Sequence, residues 1–174
     1  SGLSCGVFAG APASDTADDL HRSGTEADAQ VLMGNDSAIL SARISALLNL
    51  RGPSIALNTA CSSSLVAVHL ACQAIESGQC EMALAGGVCL FVGPGFDISA
   101  SKADMLSPRG LCRTFDEGAD GFVPGEGVGV VVLKDLTAAL RDGDTVRGVI
   151  LAADTNQDGK TNGITAPSSR SQTA

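Results

Sequence analysis

Tryptophan and tyrosine are absent from this 174-residue chain, phenylalanine occurs five times and histidine twice. Proteins that hold single-stranded nucleic acid stack bases on aromatic rings and neutralise phosphates with Lys and Arg. Eleven basic residues against 19 acidic ones, a formal net charge of -8, supply neither device, so no nucleic-acid partner and no anionic membrane partner is expected. No apolar run approaches the ~18 residues of a membrane helix. The opening SGLSCGVFAG has no basic stretch ahead of an apolar one, so no signal peptide is expected and a cytoplasmic setting follows. The six cysteines (Cys5, Cys61, Cys72, Cys80, Cys89, Cys112) are dispersed and none forms a C-x-x-C. Neither a disulfide framework nor a metal site is therefore expected, and most of these residues read as small buried apolar groups. What the chain does have is small and apolar: 44% hydrophobic, 17% charged and 21 glycines. Such a composition builds a core and cannot remain a disordered tail.

No internal repeat, low-complexity tract or linker divides the chain, so it reads as one domain or a slice of one. Residues 3–10 (LSCGVFAG) predict a short strand, and 11–30 a polar loop leading into a weak helix. Asn35, Asp36 and Ser37 offer caps to an amphipathic helix carrying Ile39, Leu40, Ile44, Leu47 and Leu48, closed by Gly52-Pro53. A short apolar run, 55–57, then predicts a strand, a sharp turn and a buried helix from Cys61 to Ser77, with Gly78 ending it. Residues 82–92 predict a buried strand with a Gly86-Gly87 pair, a mark of close backbone approach. Residues 93–124 read mostly as loop with short helical pieces, 127–134 as a strand, 136–141 as a helix and 146–153 as another strand. Buried apolar strands alternating with helices indicate an α/β layered fold.

The chemically loaded stretch is Asn58-Thr59-Ala60-Cys61-Ser62-Ser63-Ser64-Leu65. A strand that delivers Cys61 to the first turn of a buried helix aims unpaired N–H groups and the positive end of the helix dipole at the sulfur. That placement favours the thiolate, the form that attacks an acyl carbon, and the same N–H groups can hold a carbonyl oxygen as it gains charge. The competing reading is a buried structural cysteine behind a serine-rich helix start, because nothing nearby in sequence supplies a base.

NTACSSSLVAVHLACQAI closely resembles the active-site segment of the β-ketoacyl synthase (ketosynthase) domains of modular type I polyketide synthases, whose usual form is DTACSSSLVA. GNDSAILSARISALLNLRGPSIAL (34–57) is similar to the segment leading to the nucleophile, and MALAGGV (82–88) to the strand after it. RTFDEGADGFVPGEGVGVVVLKDLTAALRDGD (113–144) and TNQDGKTNGITAPS (155–168) match further signatures, so the likeness covers nearly the whole chain. VPGEG, HLACQAI and CEMALAGGV most resemble synthases whose acyltransferase is a separate protein. The resemblance implies a thiolase-like fold of helix and sheet layers, incomplete at both ends, with 1–174 forming mainly the N-terminal half of a ketosynthase domain. It implies a homodimer, and a two-stage reaction in which Cys61 takes an acyl chain from the phosphopantetheine arm of an acyl carrier protein. A malonyl thioester then loses CO2 and the enolate attacks the acyl-Cys61 carbonyl. No cofactor bound directly to the chain is implied.

Two histidines complete the family's catalytic set, in His-Gly-Thr-Gly and Asn-His motifs that this sequence does not contain. His21 lies in a polar stretch, and His69 sits eight positions after Cys61, about 12 Å along a helix axis, where core packing is expected. An internal fragment is therefore expected, one that keeps the nucleophile but is impaired in condensation and of low stability alone. Asn58 stands where Asp is usual and Ala46 where Tyr is common, while retention of Cys61 excludes the decarboxylating relatives that carry Gln. The alternatives are a fatty-acid condensing enzyme of the same superfamily, or a truncated scaffold that binds carrier protein without catalysis.

Three weaker motifs resolve to ordinary structure. Asp154-Thr155-Asn156-Gln157-Asp158-Gly159 fits the first half of a calcium loop, but its twelfth position is Thr165 and a strand precedes it where a helix is needed. Gly125-Glu126-Gly127-Val128-Gly129 lacks dinucleotide spacing and leads into a strand, with Glu126 expected to be buried against a cation in the portion of the domain absent from this sequence. Asp116, Glu117 and Asp120 read as a solvated acidic loop. No G-x-S-x-G elbow is present.

Overall fold

The computed structural model describes residues 2–24, 26, 28–163 and 167–173, with the side chains of Ala17, Asp18 and His21 outside the description. The elements run β1 (Cys5–Gly10), α1 (Thr16–Arg22), α2 (Ala29–Asn35), α3 (Ala38–Leu48), β2 (Ser54–Leu57), a 3-10 turn (Ala60–Ser62) and α4 (Ser63–Glu76). They continue with β3 (Met82–Cys89), α5 (Gly95–Lys102), β4 (Gly127–Lys134), α6 (Leu136–Asp142) and α7 (Ser169–Gln172). Two compact units are present, one ending at Asp135 and a smaller one beginning at Leu136.

The first unit is built on a four-stranded sheet of order β2-β1-β3-β4. β2, β1 and β3 are parallel and β4 is antiparallel to β3. Side chains alternate across a strand, and directly paired residues share a face. Phe8 pairs with Ala85 and packs with Ala83, Ala67, Ala71, Ala74 and Cys80 into the core, so α4 covers that face. Val7 pairs with Ser54 on the opposite face, where the Ser45 hydroxyl of α3 bonds the Ser54 hydroxyl at 3.2 Å. The sheet is thus held between α4 and α3. The α4 layer is made of alanines, which let helix and strand backbones come close, and Phe8 supplies the one large side chain at the centre of the contact.

Local sequence explains most helix ends. The Asp28 carboxylate accepts from the Gln30 and Val31 amides, both at 2.8 Å, and starts α2. For α3 the cap is Asp36, which accepts from the Ala38 amide at 2.9 Å; Ser37 makes no side-chain cap. α3 stops before the expected Gly52-Pro53, because Asn49 turns left-handed at φ 53°. Gly78, with φ 73°, follows the end of α4 as its sequence position predicts.

Three expectations need correction. The segment 146–153 is not a strand: its residues carry no regular structure and lie exposed, with Leu151 at 94%. A β-prone run becomes a strand only when a neighbour pairs with its amides. β4 is not buried; Val128, Val130 and Val132 are 75%, 61% and 63% exposed, because they lie on the face away from α4. Continuous apolar character suggested cover on both faces, yet among the described residues β4 pairs only with β3. Residues 93–124 are mostly loop with one short helix, α5, and a bridge between Leu106 and Phe122, as expected. The β3 strand ends at Cys89, short of residue 92.

Gly10, Gly87 and Gly129 pair in one row across β1, β3 and β4. A Cβ on Gly10 would lie 2.6 Å from the Ser63 carbonyl carbon, whereas one on Gly34 would meet nothing within 4 Å. Gly10→Ala is expected to lower the unfolding free energy by about 1–3 kcal/mol, while Gly34→Ala, inside α2, is expected to be neutral or mildly stabilising. Urea unfolding of both variants checks this; equal effects would show that the close approach at Gly10 is not under strain.

Candidate active site

Cys61 sits in the middle of the 3-10 turn that joins β2 to α4, one residue earlier than the N-cap position, Ser62. It is exposed, unlike Cys5 and Cys80, which are buried. Burial pushes the Cys5 and Cys72 thiols above the ordinary range, the nearby Glu76 carboxylate adding to the effect at Cys72. The expectation of a mostly interior set of cysteines is not met: Cys61 and Cys112 are exposed, and Cys72 and Cys89 are half-buried.

The turn is held by neutral hydrogen bonds. The Asn58 side-chain oxygen accepts from the Ala60 amide at 2.9 Å. The Ser62 hydroxyl donates to the Thr59 carbonyl at 2.8 Å and to the Thr59 hydroxyl at 2.9 Å. The Ser63 hydroxyl accepts from the Thr59 amide at 2.8 Å and donates to the Ala60 carbonyl at 2.7 Å. Ala60 occupies the left-handed region at φ 56°, the conformation that turns the chain just before the sulfur-bearing residue. Asn in place of the usual Asp at position 58 keeps the acceptor and drops the charge.

Beneath the turn lies the glycine row. Ser63 rests on Gly10, and a Cβ on Gly87 would lie 2.9 Å from the Ser64 Cβ. The sulfur-bearing turn therefore stands on the carboxyl ends of parallel strands, the place where open α/β sheets present their ligand sites. Such an exposed thiol ahead of a buried helix can accept an acyl group, and the small residues around it leave room for one.

The remaining candidates separate from this centre. His69 is 8% exposed and lies two turns into α4, among the core-facing positions of the helix. His21 falls in α1, with its side chain outside the described residues. Ala46 is exposed on α3. Glu126 is exposed, and its carboxylate accepts from the Phe91 amide at 2.6 Å. The acidic loop is not simply solvated: Asp120 accepts from the Ser107 hydroxyl and from Arg109 Nε, each at 2.7 Å. These bonds, the Ser107 bond first, hold its carboxyl below the usual range. Asp116 accepts from the Gly118 amide at 2.7 Å, while Glu117 is exposed. In the calcium-like segment Asp158 accepts from the Ser168 amide, ten positions on, at 2.8 Å, and neither a strand nor a regular turn is formed at 154–159; Thr165 lies outside the described residues. No group of three or more His, Cys, Asp or Glu among the described residues could hold a metal, and no helix there is long and apolar enough to cross a membrane.

Sequence reasoning missed two residues. Ser63 was one of three serines with nothing to single it out. Asp15, in the loop after β1, accepts from the amides of Val92 and Gly93, both at 3.0 Å, tying the segment after β3 to the segment after β1. The next ring along, Phe91, stacks on Phe96 at 4.8 Å between centroids.

Residues 1–139 match the family described as the N-terminal domain of β-ketoacyl synthases. The polyketide synthase PksL of Bacillus subtilis is 51% identical over 97% of the chain, and a polypeptide of the phenolphthiocerol/phthiocerol polyketide synthase of Mycobacterium tuberculosis is 54% identical over 83%. The chain spans 4% and 9% of the lengths of these two proteins. Among solved structures, the ketosynthase from module 6 of the bacillaene synthase of Bacillus subtilis superposes with a TM-score of 0.87 at 49% identity, over 99% of this chain and 29% of that one. An oxazolomycin ketosynthase domain of Streptomyces albus superposes with a TM-score of 0.89 at 40% identity, over 98% of this chain and 29% of that one.

The Gly93 amide, then that of Val92, and the charge of Arg22 hold the Asp15 carboxyl below the usual range. A carboxylate favoured in the fold contributes at neutral pH and loses its contribution as acid protonates it. Asp15→Ala is expected to lower the protection of the Val92 and Gly93 amides, relative to their intrinsic exchange rates, at neutral pH, and acidification of the unsubstituted chain to lower that relative protection likewise. Hydrogen-exchange mass spectrometry reads both; equal protection in chain and variant would remove Asp15 as the tie.

Proposed function

The chain belongs to the β-ketoacyl synthase family, and from that premise we propose that it is the nucleophile-bearing part of a polyketide synthase ketosynthase, with Cys61 as acyl acceptor. The observation that carries the reading is Cys61 itself: exposed, in a left-handed turn, ahead of a buried helix and on the carboxyl ends of parallel strands.

In the first stage the sulfur attacks the carbonyl carbon of an acyl thioester carried on the phosphopantetheine of an acyl carrier protein. The carbonyl oxygen gains charge where the helix-start amides can stabilise it. The tetrahedral adduct collapses, the pantetheine sulfur leaves with a proton, and the acyl group remains on Cys61. In the second stage a malonyl thioester loses CO2, and the resulting enolate attacks the acyl carbonyl. The carbon–sulfur bond to Cys61 breaks, freeing the thiolate, which takes a proton from water, and a chain longer by one ketide unit. Water must be kept from this acyl thioester, and the apolar flank of α4 suits that need.

The second stage also needs groups that steady the enolate, which the family carries in its two histidine motifs. His69 is buried on α4, two turns beyond Cys61 in the chain. The carrier protein, the homodimer, an acyltransferase supplied in trans and the cytoplasmic setting belong to the same proposal.

Incubation with a short acyl thioester of pantetheine is expected to add a single acyl mass to the protein and none to Cys61→Ala. Intact-protein mass spectrometry reads the result. Labelling of chain and variant alike, or of neither, would overturn Cys61 as the acceptor.

A further inference from the structure

We propose that Ser63 is a positioning residue for Cys61: its hydroxyl locks Ala60 in the left-handed conformation that presents the sulfur. This rests on the reading of Cys61 as acyl acceptor and extends it to the group that sets its geometry.

Ala60 at φ 56° is in a region that residues with a Cβ rarely enter without compensation. The compensation is visible. One hydroxyl, on a residue only 7% exposed, spans the turn from both sides, accepting from the Thr59 amide before Ala60 and donating to the Ala60 carbonyl after it. The Ala60 carbonyl also accepts from the Ser63 amide. The Thr59 amide and the Ala60 carbonyl therefore converge on a single oxygen. That oxygen is itself fixed, because the Ser63 backbone rests against Gly10 of β1. The position of the sulfur is thus referred to the sheet through one side chain. Neighbouring Ser62 and Ser64 cannot substitute for it. The Ser62 hydroxyl is spent on Thr59, and Ser64 is exposed, with its Cβ over Gly87.

Removing the hydroxyl leaves the Thr59 amide without its partner and lets Ala60 relax toward ordinary backbone angles. The test measures single-turnover acylation of the intact polypeptide by acyl-pantetheine across thioester concentrations, with thermal unfolding alongside. Ser63→Ala is expected to lower the saturating rate by ~10-fold or more with little change in half-saturation. Ala60→Gly, which removes the cost of the left-handed angle, is expected to restore most of that rate in the Ser63→Ala background. A general loss of fold lowers the active fraction, and glycine two positions from the end of the turn would not reverse it. Should Ser63→Ala not fold, Ala60→Val retains the Ser63 hydroxyl but strongly disfavours the left-handed angle that the hydroxyl holds; it is expected to lose acylation comparably.

An unchanged rate in Ser63→Ala or in Ala60→Val, or a loss in Ser63→Ala that Ala60→Gly does not restore, would overturn the positioning role. Absence of acylation in the unsubstituted chain is a different result, overturning the acceptor reading and with it this role.

Discussion

Helix α4 can lie on the sheet only because the strand positions under its first turn carry no side chains. A methyl group on Gly10 would sit inside the Ser63 backbone, and one on Gly87 against the Ser64 Cβ. Further along the helix the same closeness is kept by Ala67, Ala71 and Ala74 facing Ala83 and Ala85. Alanine buries little area per residue, so the contact is worth less in transferred apolar surface than a leucine interface of equal length. What it secures is a short and uniform distance between helix and sheet. Close packing at that distance tolerates little error, since interiors are about as dense as organic crystals.

From that distance the chemistry follows. β2 ends beside β1 at the Leu57–Gly10 pair, the chain must turn at once to enter α4, and the left-handed angle at Ala60 is how it does so. The cost of the angle is met by hydroxyl and amide groups within five residues, not by distant charge. Charged contacts lie elsewhere, on the loops beyond the strand ends, where Asp15, Asp120 and Glu126 each take backbone or side-chain donors.

Much of this was legible in the sequence because local rules decided it. Three- and four-residue apolar spacing gave α3, Gly78 marked the end of α4, and the Gly86-Gly87 pair signalled a close approach that Gly87 makes with Ser64. The CSSSL stretch singled out Cys61, which lies exposed in the turn ahead of α4. The failures came where a partner distant in sequence decides. Residues 146–153 have strand composition and no strand, because pairing is a property of two segments. The valines of β4 looked buried because hydrophobicity reports what a side chain prefers, not what covers it. Asp15 reaches across 78 positions to Gly93, which no local pattern records, and Ser63 differs from its neighbouring serines only in which way it faces.

The groups that shape the turn, Asn58, Thr59, Ser62 and Ser63, have no ionisable proton in the range where proteins are stable. Its geometry is consequently blind to pH. Enzymes that orient a nucleophile with a carboxylate or an imidazole couple its position to the acidity of the medium; the hydrogen bonds that shape this turn come from amide and hydroxyl groups. The frame around Cys61 therefore keeps the same shape from one end of a pH profile to the other.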